Sequence, residues 1–186
     1  MDRRVGVITF LLPAALLLAA PPSLAAQPAP ATGPVIEGYG PVYEVPDPDF
    51  TTPRDGIQRV VFDVAQAAPE PDRVNARFET LARYLNMHAR AGVPRENMKL
   101  ALVVHGGASW EVVDDATYRD RFGVANPNLP LLEELDDFGV EILLCAQSQS
   151  SRGIRKSELA SPVQQALSAM TALVALQERG YQLIAF

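Results

Sequence analysis

Cys145 is the only cysteine in this 186-residue chain and the side chain with the most chemistry to offer. It follows the run Val140-Glu141-Ile142-Leu143-Leu144, and the stretch from Val140 to Ser148 reads as a buried strand that delivers a thiol to its carboxyl end. The reactive form of a cysteine is the thiolate, so a working site must lower a thiol pKa from about 8.5 with backbone N–H groups or a nearby cation. Arg152 and Arg155, in the polar stretch just beyond, are candidate cations. The competing reading is a cysteine that fills space at a strand end, because free cysteines are among the most buried residues.

His105-Gly106-Gly107-Ala108-Ser109 is the second stretch with chemical content. It lacks the lysine and the longer glycine spacing of a phosphate-binding loop, so it is expected to be a tight strand exit with room for a ligand. His105 can take a thiol proton or orient a substrate, against a purely structural role. Ser109, His105 and Asp63 can be drawn as a triad, but no nucleophile-elbow sequence accompanies Ser109. His88 falls on the apolar side of a helix. Two histidines and one cysteine far apart in sequence predict no metal site, and no cofactor is expected. Asp114-Asp115 and Glu133-Glu134 are most simply solvated faces, and Trp110 and Tyr118 belong to a pocket wall or an interface.

The elements that must position these residues alternate. Ile57 to Val64 is a β-branched strand. A helix opened by Pro71 carries Val74, Phe78, Leu81, Leu85 and His88 at spacings of three and four, and stops at Gly92. Met98 to His105 is a second strand, and Trp110 to Asn126 an excursion with about one helical turn. Asn126-Pro127-Asn128 caps a helix closed by Gly139. After the Cys145 strand comes a polar loop from Ala146 to Glu158. Ser161-Pro162-Val163-Gln164 has the form of a capping box, predicting a helix to Arg179 that is apolar on more than one stripe and therefore buried against the sheet and another subunit. Tyr181 to Phe186 is the last strand. This alternation predicts a three-layer α/β/α sandwich around a mainly parallel sheet of four to five strands. Ligands of such sheets bind beyond the carboxyl ends of the strands, here Asp63, His105-Gly106-Gly107 and Cys145-Ala146-Gln147.

The first part of the chain has a different character. Arg3-Arg4, an apolar run from Val5 to Ala20, and small residues up to Ala25 predict a signal peptide over residues 1–25, hence export to the periplasm and no membrane association after cleavage. Residues 26–55 form a proline-rich leader or strap, and residues 56–186 are the right size for one domain. Losing Asp2, Arg3 and Arg4 removes one net positive charge and takes the chain from −6 to −7. An acidic protein without a basic run is a poor partner for nucleic acid or an anionic membrane.

The order of segments resembles the DsrE/DsrF-like family, also called YchN-like. The matching stretches are Val60 to Val64, Lys99 to Gly106, Leu129 to Ser148, with Arg152-Gly153 beyond, and Ser161 to Phe186. The resemblance implies a flavodoxin-like fold, oligomers that are often trimers or hexamers, and a cysteine that carries sulfur as a persulfide in relay. Cys145 would be that cysteine, with His105, Gly106, Gly107, Gln147 and Arg152 around a small sulfur-containing ligand or a sulfur-transfer protein. The well-understood members are cytoplasmic, and this chain departs from them by its signal peptide and leader. The alternative is a non-catalytic ligand-binding or assembly module of the same fold.

Overall fold

The computed structural model of the chain describes residues 28–185, so the expected signal peptide lies outside the described residues. Five strands, β1 (Gln58–Val64), β2 (Met98–Val104), β3 (Glu141–Cys145), β4 (Val163–Ala166) and β5 (Gln182–Ala185), form one sheet in the order β4-β3-β2-β1-β5. Every pair is parallel. The helices are α1 (Ala76–Arg90), α2 (Asp115–Phe122), α3 (Leu129–Phe138), α4 (Ala146–Ser151) and α5 (Ala169–Glu178).

Alternation along the strands divides the core. Phe62, Leu100, Leu102, Ile142 and Leu144 face α1 and α3, where Phe78, Leu81, Leu85, Leu131, Leu132 and Leu135 meet them. Val61, Ala101, Val103 and Cys145 face the other way, onto Ala169, Ala172 and Leu176 of α5. Among the described residues, helix α5 therefore covers the second face alone as the chain crosses back from β4 to β5, beside β1. The result is the expected three-layer sandwich, with a wholly parallel five-stranded sheet.

Residues 31–42 run as a strap along α1. The buried Asn86 side chain accepts from the N–H groups of Val35 and Ile36 and donates to the carbonyls of Ile36 and Tyr39. Arg90 reaches the carbonyls of Thr32 and Gly33. Gly40 lies so close that an added Cβ would collide with the α1 backbone at Ala82 and Arg83.

Four local expectations are corrected. Residues Val163 to Ala166 are a strand, and the last helix starts at Ala169 with Ser168 as its cap, accepting from the Thr171 N–H at 3.0 Å. The reason is β3: without β4 its outer edge would leave buried backbone groups unpaired, which outweighs the helical signal of Ser161-Pro162. Helix α1 starts at Ala76, capped by Asn75, while Pro71 sits in a turn whose carbonyl accepts from the Tyr118 hydroxyl. The polar stretch after Cys145 begins with α4 rather than loop. The excursion after Trp110 contains the two-turn α2, capped by Asp114.

Candidate functional site

Cys145 is the last residue of β3 and the N-cap of α4, so its backbone leaves the sheet at once. It pairs with Ala166 of β4, two residues before the Ser168 cap of α5. The first turns of α4 and α5 therefore converge on one sulfur, where the positive ends of both helices favour an anion. The residue is only 5% exposed. Burial is the largest single influence on the thiol and raises its pKa. The N–H and hydroxyl of Ser148 and the N–H groups of Ala169 and Gln147 together outweigh it, leaving the thiol below its ordinary value. Cys145 forms no ordinary cap hydrogen bond, so these groups act on the sulfur chiefly as oriented dipoles.

Neither Arg152 nor Arg155 supplies this effect. Arg152 donates to the Ser148 carbonyl at 3.2 Å and the Ser151 hydroxyl at 3.3 Å, tying down the end of α4, and Arg155 pairs with Glu158. Gln147 is exposed and reaches the Leu167 carbonyl at 3.4 Å, bridging the two segments that flank the thiol.

His105 follows β2 on the α5 side of the sheet, the side of Cys145. Its Nε2 lies 3.0 Å from Asp63 Oδ1, with the two side chains 30% and 25% exposed. Gly106 has a φ of 54°, and an added Cβ would stand 2.8 Å from the Ala65 carbonyl oxygen, so glycine is required there. Its N–H donates to Ser148 Oγ at 3.1 Å. Ser148 thus joins the β2 exit to the cysteine turn. Nothing singled it out in the sequence, although it stands three residues after Cys145, the spacing of a first helical turn.

Gly107 lies elsewhere. It borders a cavity of about 180 Å³ with Ala67, Trp110, Glu111, Tyr118 and Phe122. Glu111 is buried there, accepting from the Ala68 N–H and the Asn75 amide, each at 2.6 Å; burial raises its pKa despite these bonds. Ser109 is buried and donates to the Gly106 carbonyl at 2.8 Å, so it pins the turn and offers no nucleophile. His88 stacks on Tyr84 within α1, ring centroids 3.8 Å apart. Among the described residues no group of three or more His, Cys, Asp or Glu is placed to hold a metal ion. The structure therefore gathers Cys145, Gly106 and Gln147 around Ser148, whose carbonyl also holds Arg152, sets His105 one strand away with Asp63, and leaves Gly107 in other surroundings.

A family model described as the DsrE/DsrF-like family matches residues 59–186. A protein of unknown function from Methanobacterium thermoautotrophicum has a similar solved structure, with a TM-score of 0.50 and 18% identity over 69% of this chain and 99% of its own. The ychN protein from E. coli is similar at a TM-score of 0.52 and 18% identity, over 70% of this chain and 100% of its own. At that identity the likeness is one of fold. No curated protein matches the sequence. The strap precedes the matched region.

Proposed function

Because the chain belongs to the DsrE/DsrF-like family over residues 59–186, we propose that it is a sulfur-handling protein in which Cys145 accepts a sulfane sulfur and carries it as a persulfide. The observation that carries this reading is a thiol held below its ordinary pKa, in spite of burial, where two helix starts meet at the carboxyl edge of a parallel sheet. A cysteine that only filled space would need no such surroundings. Gly106, Gln147 and His105 border the approach to the sulfur, and the donor is a small sulfur compound or a sulfur-transfer protein. The protein is exported by cleavage after Ala25, works in the periplasm, and assembles into a trimer or hexamer through the outer side of α5. Mass spectrometry of the intact protein after incubation with a persulfide donor tests the central claim. One added sulfur atom is expected, and none in Cys145→Ser; a wild-type thiol that stays unmodified under native conditions sinks the reading.

One observation favours a second reading, a non-catalytic assembly module: Cys145 is almost wholly enclosed among Ala169, Ala172 and Val103. Under it, Cys145→Ala would retain oligomer and biological effect, whereas a sulfur carrier loses its effect with the thiol.

A further inference from the structure

We propose that Asp63 is a positioning residue that holds His105 ready to protonate the thiolate that leaves during sulfur transfer to Cys145. This rests on the persulfide reading of Cys145.

Asp63, His105 and Cys145 stand on three neighbouring strand ends, β1, β2 and β3. Asp63 is in register with Val103, and Val103 with Leu143. Val103 and Leu143 belong to the α5 side of the sheet, as does Cys145, and alternation puts Asp63, between Phe62 and Val64 of the other face, on that side too. His105 is two residues beyond Val103 and returns to that side. It also lies one residue past the last ladder pair, Val104 with Leu144, and Cys145 holds the corresponding position on β3. The order across the edge is carboxylate, imidazole, thiol.

The hydrogen bond fixes the chemistry of the ring. An ionised carboxylate only accepts, so His105 Nε2 carries a proton toward Asp63 and Nδ1 is left as the basic nitrogen. Ser148 Oγ, accepting from Gly106 N–H, ties the residue after His105 to the first turn after Cys145, which keeps the two strand ends together. Both Asp63 and His105 keep a quarter or more of their side chains exposed, so neither is spent on filling the core.

In the transfer, Nδ1 takes the Cys145 proton. The thiolate then attacks the outer sulfur of a donor R–S–SH, forming the new S–S bond as the R–S to sulfur bond breaks. The leaving RS⁻ takes the proton back from His105. The sum is Cys145–SH plus RS–SH giving Cys145–S–SH plus RSH, with no outside oxidant or reductant. The backbone N–H groups already favour the thiolate, so the contribution of His105 falls mainly on the leaving thiol.

Two disulfide probes isolate that contribution. Dipyridyl disulfide releases an acidic thiol that needs no proton, whereas hydroxyethyl disulfide releases a basic alkyl thiol that does. His105→Gln is expected to slow the alkyl probe by about 100-fold, a usual size for general acid catalysis, with the aryl rate nearly unchanged. Asp63→Asn should shift the ratio in the same direction by less, and Asp63→Glu should restore it. Because both rates come from one sample, a merely less stable variant moves them together. Equal slowing of both probes, or no change in either variant, overturns the proposal while leaving the persulfide reading intact. A wild-type thiol that reacts with neither probe nor a persulfide donor overturns the persulfide reading itself.

Discussion

Cys145 is decided by a contest between desolvation, which favours the neutral thiol, and hydrogen-bond donors, which favour the thiolate. Ser148 contributes twice to the winning side, through its N–H and its hydroxyl. Ser148→Ala removes only the hydroxyl, so the pH midpoint of Cys145 alkylation should lie below that of the same cysteine in the unfolded chain and move upward in the variant. An unchanged midpoint would remove Ser148 from the account. The same shift has a signature in stability. Between the folded and the ordinary thiol values the unfolded chain binds a proton that the folded chain has released, so stability rises with pH through that window. The gain is complete above the ordinary value and lost as pH falls through the folded one; urea midpoints across the window should show this slope, and Cys145→Ser should abolish it. A strand-end cysteine is visible in the sequence because a short apolar run stops there. The groups that tune it are not, since Ala169 reaches the sulfur only through the pairing of β4 with β3, and His105 turns to Asp63 only through the register of β1 with β2.

At the scale of elements, periodicity located the strands β1, β2 and β3 and the helices α1 and α3 because each carries an apolar face, and the short β5 shows as the apolar end of the run after Gly180. It failed at β4, where four residues with two glutamines have no pattern of their own and are held by an edge. Ser161 and Ser168 are both residues that can cap a helix, but only Ser168 stands directly before the apolar run from Ala169, and tertiary pairing selected it. The strap is the other element whose order comes from a partner rather than from itself. Its backbone N–H and C=O groups near Ile36 are satisfied by one side chain, so Asn86→Ala would leave several buried polar groups unpaired at once. A loss of about 3 kcal/mol in urea unfolding is expected, with early proteolytic cleavage between residues 31 and 42. A variant within about 0.5 kcal/mol of wild type would mean that the strap is held mainly by Ile36 and Arg90.

For the whole molecule the two faces of the sheet are unequally covered. Among the described residues, one carries α1, α3 and the strap and the other α5 alone, with Leu167 69%, Met170 75% and Val174 56% exposed. No Asp, Glu, Lys or Arg occurs between Glu158 and Glu178, although a fifth of the chain is charged. Copies that share a net negative charge repel one another, so a surface free of charge and apolar enough to offset that repulsion is the one on which they would meet. The outer side of α5 meets both conditions. Light scattering at micromolar concentration should give a trimer or hexamer for the wild type. Met170→Glu with Val174→Glu should reduce it to a folded monomer, because both side chains are exposed in the single chain, with a urea midpoint lowered by the lost assembly and no longer dependent on protein concentration. Assembly that survives both charges would move the interface off α5, and a wild-type monomer would remove the oligomer altogether. The thiol gives this a functional consequence: Ala169 belongs both to the first turn of α5 and to the donors around Cys145, so a copy seated on α5 would stand at the rim of the sulfur site. Cys145 in the dissociated variant should therefore react faster with small disulfides than in the assembled wild type.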